Sequence, residues 1–436
     1  MGVQLRERYN SFESMSLDFI LPTFPSNITP SKVHLEGGIT HLHTCLIDNH
    51  SFLIKVKDIT LAIIVDLYKS KEIELVPELL KLPNIKNVEW YIRTPSGDLL
   101  TKQEIKYIID LMNLENFSQS LSYMKDFKNV IDILPRRCNN MICRGLLRNP
   151  FVNFGTFQDL KFLEFNFADI SLFVKLPPSL EKIRIIETKF SVSEDFSWPP
   201  NVKVVKITKC DMNDENLVRL SGWPTKLKTL TLEHNKFYKL SSMGNLPQSL
   251  EYLSIVSSAS HLVFYEDPLI RFDLYNFGSY SFPKSLKSLN ISGVTFHDFH
   301  RYVIEFPQGL QRLRISRGIK SLKQFIFPNS LIYLDLSCNQ IESLLDYENR
   351  FSLNYWRSLI NLQVLILNNN LLDSNSLNNW WPPINLNCIN LSSNLIDSLN
   401  IKILEYKIRQ QISHNSVIDM SSTKINKSSF KSLFRK

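Results

Sequence analysis

The sequence predicts an α/β fold built as a solenoid of stacked repeats, and three observations predict it. A short phrase returns from Leu176 to Ile341: a large apolar residue, a proline, two free positions, then apolar residues at spacings of three and two. It reads LPPSLEKIRI from Leu176, WPPNVKVVKI from Trp198, WPTKLKTLTL from Trp223 and LPQSLEYLSI from Leu246. It continues as FPKSLKSLNI from Phe282, FPQGLQRLRI from Phe306 and FPNSLIYLDL from Phe327. The leading apolar residues Leu160, Leu180, Val202, Leu227, Leu250, Leu286, Leu310, Leu331, Leu362 and Leu386 step mostly by about 20 to 25 residues, a period that marks stacked repeats. Within each phrase the closing apolar pair is spaced by two, so each repeat makes one short strand with alternate side chains pointing inward.

Taken in order, the chain divides into residues 1–150 as an N-terminal capping region with room for degenerate repeats, 151–400 as the solenoid, and 401–436 as a C-terminal cap with a basic, Ser-rich tail. A terminal repeat has to hide its apolar face, which is the reason to expect caps. The stretch VHLEGGITHLHTCLI reads as two short strands about Gly37-Gly38, and FLIKVKDITLAIIVDLY as buried strands or a strand with a short helix. LPNIKNVEWYI echoes the later phrase, with Ile85, Val88 and Trp90 at spacings of three and two. A helix is expected from Thr101 to Leu114. There Thr101 and Glu104 make a capping box, and Ile105, Ile108, Ile109 and Met112 an apolar stripe. Two steps are long, after Leu250 and after Leu331, and they predict either protruding loops or longer helices on the outer side.

The fullest repeats, LKTLTLEHNKF at Leu227, LIYLDLSCNQI at Leu331, LQVLILNNNLL at Leu362 and LNCINLSSNLI at Leu386, resemble the leucine-rich repeat pattern L-x-x-L-x-L-x-x-N-x-L. The resemblance runs from about Phe157 to Ile396, and the proline ahead of the first leucine is similar to repeat variants of lower eukaryotes with a Pro-x-x-Leu start. It implies a curved horseshoe with a parallel β-sheet along its concave face. Asn235, Asn339, Asn370 and Asn394 fall where the chain leaves the strand, placed to satisfy buried backbone groups of adjacent turns. Thr188, Cys210 and Ser258 substitute in part, whereas Ala168, Val294 and Gly318 cannot. The prolines suit an extended return segment.

Composition bounds the function. The 436 residues are 44% hydrophobic and 21% charged, as in a folded chain. The net charge of +8 permits acidic partners without implying them. The first 19 residues contain no apolar segment of a secretory signal, and position 6, where myristoylation needs Ser or Thr, is Arg6. No run is long enough to span a membrane as a helix. The six cysteines are scattered, without clustered terminal caps, which points to reduced thiols and an intracellular location, cytoplasmic with the nucleus as the other option. His41, His43 and Cys45 would share a face if this segment were a strand, but no second ligand pair stands at a metal-binding spacing, so no metal or cofactor is expected. No phosphate-cradling glycine loop, HExxH or GxSxG is present, and no enzymatic activity is expected.

Function is therefore expected on the strand residues that point away from the core. Along the concave face these include two basic clusters, Lys182, Arg184, Lys206 and Lys209, and Arg312, Arg314 and Arg317, with Tyr252, Tyr333 and Asp335 between or beside them. Arg and aromatic side chains are the usual interface anchors. The expected role is a non-catalytic protein-binding scaffold or recognition subunit. One version, implied by the resemblance, is a ubiquitin-ligase substrate receptor, although DITLAIIVDLYKSKEIELVPELLKL lacks the Leu-Pro opening of an F-box. The alternative is a polyanion binder, meeting nucleic acid or an anionic membrane surface through the basic clusters. Acidic residues such as Glu164, Glu187, Glu233 and Asp335 interrupt the stripe and make nucleic acid the weaker option.

Overall fold

A computed structural model describes residues 32–48, 50–66, 75–81, 84–93, 118–122, 139–144, 154–166, 169–173, 176–257, 270–271, 282–295, 304–317, 319–323, 325–344, 355–378, 380–396, 405–406, 408–410 and 417–421. The helix expected from Thr101 to Leu114, the tail beyond residue 421, the ladder positions Ala168, Ser258 and Gly318, and Leu269, Phe272 and Leu274, whose spacing allows a further degenerate repeat in the first long step, lie outside them. The chain forms two compact units, Met1–Asp195 and Phe196–Lys436.

In the first unit, strands β1 (Lys32–Gly38), β2 (Asp58–Asp66), β3 (Ile85–Arg93), β4 (Ser118–Ser122), β5 (Asn140–Arg144) and β6 (Phe162–Asn166) pair successively and in parallel. Past a side strand β7 (Asp169–Phe173), β8 (Lys182–Ile186) continues the ladder from β6, while β7 pairs with β9 (Lys189–Val192). The parallel ladder thus already runs through residues 32–144. Leu61, Ala62, Ile63, Ile64 and Val65 are all buried, which is why β2 reads as an unbroken apolar run instead of an alternation. In β3, Ile85, Val88 and Trp90 are buried, at the spacing that marks the later repeats.

One expectation for this unit is corrected. Gly37-Gly38 ends β1, and residues Ile39–Asp48 form a helix, not a second strand. Ile39, Leu42, Cys45 and Leu46 are its buried stripe, a helical spacing that outweighs the apparent alternation of histidines. A Cβ at Gly37 would stand 3.1 Å from His41 Cδ2, so the strand-to-helix corner is tight there.

The second unit carries the regular repeats. Its strands are β10 (Val204–Thr208), β11 (Thr229–Asn235), β12 (Tyr252–Ser257), β13 (Ile270–Arg271), β14 (Ser288–Ser292), β15 (Val294–Thr295), β16 (Ile304–Glu305), β17 (Arg312–Ser316), β18 (Phe325–Ile326), β19 (Tyr333–Asp335), β20 (Val364–Ile366), β21 (Cys388–Asn390) and β22 (Val417–Asp419). All pairings are parallel. The main ladder runs β10, β11, β12, β14, β17, β19, β20, β21, β22, and β13 with β15 and β16 with β18 form short side ladders. The register stacks Val205, Leu230, Leu253, Leu289, Leu313, Leu334, Leu365 and Ile389 in one buried file. Burying each such side chain is worth roughly 1.5–3 kcal/mol, and every one of them depends on the turns on either side.

Four devices recur among the turns. The proline of the phrase opens a tight turn. Its carbonyl accepts the amide of the residue three later, as in Leu227 N to Pro224 O at 3.0 Å and Leu310 N to Pro307 O at 3.0 Å. This is the physical reason for the Pro-x-x-Leu spacing, and it places the proline at the start of a turn and not within an extended return. Second, the position before the leucine is not free when it is serine. The hydroxyls of Ser179, Ser249, Ser285 and Ser330 each donate to the leading-residue carbonyl of the preceding turn (Leu160, Leu227, Leu250 and Leu310) at 2.6 to 2.9 Å. Third, the aromatic residue before the proline is buried and stacks on its neighbours: Trp198 on Trp223 at 5.8 Å, and Phe306 on Phe282 and Phe327 at 6.3 and 6.1 Å. In the long step after Leu331 the short helix Tyr355–Ser358 adds Trp356 to this spine, tilted against Phe327 at 6.2 Å.

The asparagine ladder is the fourth device. Asn370 accepts the Ile341 amide at 3.1 Å and donates to the carbonyls of Leu336 and Leu367, both at 2.9 Å. Asn235, Asn339 and Asn394 repeat the pattern, each accepting an amide of the preceding turn (Cys210, Ile319 and Leu372). Thr188 and Cys210, the partial substitutes, donate to carbonyls of their own turns, Ile186 and Thr208. At eight of the corners the residue ahead of the ladder position adopts a left-handed backbone: Glu187, Lys209, His234, Gly293, Arg317, Cys338, Asn369 and Ser393. Only one of these is glycine, so the corner that swings the chain off the strand is held by the surrounding bonds at a local cost of about 1 kcal/mol.

Candidate recognition surface

In the first unit the outward face of the sheet carries Phe162 and Glu164 on β6 beside Lys182 and Arg184 on β8. Arg184 pairs with Glu164 at 3.5 Å, and both cations sit over the Phe162 ring, at 5.2 Å for Lys182 and 5.6 Å for Arg184. Partial burial, with the neighbouring Arg184 charge, holds the Lys182 ammonium below its ordinary pKa, and Glu164 opposes the shift. Lys206 and Lys209, which the sequence groups with this pair, belong to the second unit. Lys206 points outward from β10 in register with Thr231, while Lys209 occupies a left-handed corner with its amide on the Glu233 carbonyl.

Two rows of outward residues cross the ladder of the second unit. One runs Val204, Thr229, Tyr252, Ser288, Arg312, Tyr333, Val364, Cys388, Val417. The other runs Lys206, Thr231, Ser254, Asn290, Arg314, Asp335, Ile366, Asn390, Asp419. Their middle is polar and linked: Ser254 donates to Glu233 Oε1 at 2.6 Å and accepts from Asn290 Nδ2 at 2.9 Å. Asn290 Oδ1 is shielded and has no protein partner among the described residues. Tyr252 stands up from this floor, 36% exposed, ahead of the short side chains of β14.

The densest cluster spans β17 and β19. Arg312 lies over the Tyr333 ring at 4.6 Å, the Tyr333 hydroxyl donates to Asp335 Oδ2 at 3.3 Å, and Arg314 Nε approaches the same oxygen at 3.4 Å. Asp335 is 5% exposed, and its other oxygen accepts the Ser337 amide at 2.9 Å. Burial, reinforced by the Asp335 charge, raises the Tyr333 phenol above its ordinary pKa. The structure thus brings Arg312, Arg314, Tyr333 and Asp335 together around one buried carboxylate. Arg317 sits apart, exposed at the left-handed corner that follows β17. What the sequence reading missed is the change of character past this cluster: β20 shows the outward face only Val364 and Ile366, and the same row ends in Val417, 62% exposed. Reading every second residue of these short strands would have found it.

The helix Ile39–Asp48 puts His41, His43 and Cys45 on a helix, where His43 pairs with Glu78 at 2.8 Å and the hydrogen bond lowers the Glu78 pKa. Among the described residues no group of three or more His, Cys, Asp or Glu side chains is arranged to hold a metal ion, and no helix is long and apolar enough to cross a membrane.

No family model and no curated protein matches the sequence. Among solved structures, the chain is similar to Toll in the Toll–Spatzle complex of Drosophila, with a TM-score of 0.52 and 12% identity over 91% of this chain and 56% of that one. An internalin of Listeria monocytogenes gives a TM-score of 0.45 and 16% identity, covering 77% of this chain and 92% of the internalin. The leucine-rich repeat domain of APL1 gives 0.38 and 14%, covering 76% and 84%. Identity this low speaks to architecture, and the architecture is an α/β leucine-rich repeat solenoid.

Proposed function

We propose that this chain is a non-catalytic recognition scaffold, whose second unit binds a protein partner on the outward face of its parallel sheet. The observation that carries the reading is the Arg312–Tyr333–Asp335–Arg314 cluster. The buried Asp335 carboxylate holds Arg314 and Tyr333, and the Tyr333 ring in turn carries Arg312, on strands paired within the parallel ladder. Preordered aromatic and guanidinium groups lose little entropy on binding, which is what makes such residues interface anchors.

The same geometry argues against a phosphate track. Arg314 is already partnered by Asp335, Asp335 and Asp419 interrupt the second outward row, and Lys228 and Lys287 both pair with Glu251 beside the face. The described cysteines Cys45, Cys210, Cys338 and Cys388 form no disulfide with one another, in keeping with the reducing intracellular compartment we propose.

The test compares proteins retained from the native cell by the wild type and by an Arg312→Glu/Arg317→Glu variant, at about 0.1 and 0.5 M salt. Arg314 is spared because its loss would strand Asp335. A protein held at both salt levels and lost in the variant supports the reading, and ubiquitin-ligase subunits among the retained proteins would specify the receptor version. Retention of nucleic acid or lipid alone, released steeply by salt, would replace it with polyanion binding.

A further inference from the structure

Within that recognition reading, on which this step rests, we infer that the surface takes an extended peptide pairing an acidic side chain with an apolar one about four residues away. The row Arg312, Tyr333, Val364, Cys388, Val417 changes character once along its length, from cationic to apolar. At its basic end Arg312 is exposed and has no carboxylate partner among the described residues. Arg314 beside it is occupied by Asp335. The face of the Arg312 guanidinium rests on Tyr333, which fixes its orientation and leaves its N–H edge for a carboxylate.

The apolar end is formed by Val364, Ile366 and Cys388, partly exposed on adjacent strands, with Val417 beyond them. Aliphatic and thiol groups on a sheet face whose other described outward residues, Val204 apart, are hydroxyl, amide or charged form a partly exposed apolar strip. The charge beside it selects the occupant. A basic peptide would meet Arg312, whereas an acidic one neutralises it while its apolar side chain covers the strip. From β17 to β21 there are three strand spacings, roughly 14 Å at about 4.8 Å each, and an extended chain covers that in about four residues. The bound segment therefore crosses the strands along the row, and it does not add to the sheet as a further strand.

The test uses the full chain and labelled ten-residue peptides with Glu fixed at position 3 and Leu at position 6, 7 or 8 on a Gly/Ser/Gln background. Their counterparts carry Lys for Glu or Ser for Leu, and affinity is read by fluorescence polarisation. The Glu/Leu peptides are expected to bind at least tenfold more tightly than either counterpart, with position 7 best. Arg312→Glu should invert the preference toward Lys. Val364→Asp should remove the benefit of Leu while leaving the acidic preference in place, and a melting profile like that of the wild type shows that each variant is folded. Equal binding of Glu and Lys peptides, an unchanged preference in Arg312→Glu, or no peptide binding would each overturn the inference. If cellular protein is still lost in the Arg312→Glu/Arg317→Glu variant while the peptides show no preference, this inference falls and the scaffold reading stands. If that variant retains every cellular protein, both fall.

Discussion

Replacing Asn370 with alanine tests the ladder directly. The Asn370 side chain is fully buried and makes three good hydrogen bonds, but its partners do not suffer equally when it goes. The Leu336 carbonyl also accepts from Asn339 at 2.8 Å, and the Leu367 carbonyl from Asn394 at 3.0 Å, so each keeps a donor. The Ile341 amide loses the side chain that accepts it. An orphaned buried amide costs about 1–3 kcal/mol, and the two weakened acceptors and a small cavity add to it, so Asn370→Ala should cost about 2–3 kcal/mol. Asn394→Ala should cost about the same, by orphaning the Leu372 amide. The double variant removes both donors to Leu367, so it should exceed the sum of the singles by about 1 kcal/mol. Urea titration followed by tryptophan fluorescence reports on this region, since Trp356 and Trp380 are buried in it, and the denaturant slope checks that cooperativity is kept. A single-variant loss below about 1 kcal/mol, or a strictly additive double variant, would refute the shared-acceptor account.

Three further outcomes follow from other rungs. Gly309→Ser should add the hydroxyl rung that four other turns make and stabilise by about 0.5–1.5 kcal/mol, because a Cβ there meets only Lys284 O at an ordinary 3.5 Å. Destabilisation in a thermal melt would show that the rung does not form. Phe306→Ala should cost about 3–5 kcal/mol by opening the spine between Phe282 and Phe327, with Phe306→Leu recovering more than half in the same titration. Tyr355, whose hydroxyl accepts the Phe327 amide at 2.6 Å, is pushed up to about 12 by burial, against a smaller opposing effect of its backbone hydrogen bond. A raised pKa means that the folded state holds the proton more tightly than the unfolded chain does. The associated stability is thus fully present below about pH 10 and is lost as pH rises toward 12. In Tyr355→Phe this alkaline decline should shrink, while the stranded Phe327 amide costs about 1–3 kcal/mol at pH 8, both read from unfolding midpoints across pH.

The inward files and the asparagine ladder were legible because burial and turn chemistry write themselves into residue type: leucine at fixed spacings, asparagine at the ninth place. The proline was visible too, but its job was misread, since composition shows a fixed φ and not which carbonyl the next amides choose. Serine before the leucine looked like a free position because it donates to the preceding turn, a bond with no trace in the local pattern. Helix Ile39–Asp48 was lost to a period error: alternating His41, His43 and Cys45 drew the eye from Ile39, Leu42 and Leu46. The left-handed corners were hard to read as a set, because Gly293, Asn369 and His234 are residue types enriched at positive φ whereas Glu187, Lys209, Arg317, Cys338 and Ser393 are not. At the recognition surface, which residues face outward was readable, and who holds whom was not. Asp335 reads in the sequence as one more surface charge, yet it organises Arg314 and Tyr333 from beneath.

The carbonyls held from two sides bear on how such a chain changes length over generations. A duplicated segment cut from one ladder asparagine to the next carries both an acceptor for the amide behind it and donors for the carbonyls around it. Its ends therefore meet the existing rungs with no new chemistry required, and an extra turn enters the stack as readily as a link enters a belt. A cut that misses the asparagine instead leaves a turn like that of Val294, which offers its neighbours no side-chain amide. The number of turns is thus freer to drift than the content of any one of them, and the outward face widens or narrows by whole strands as it does.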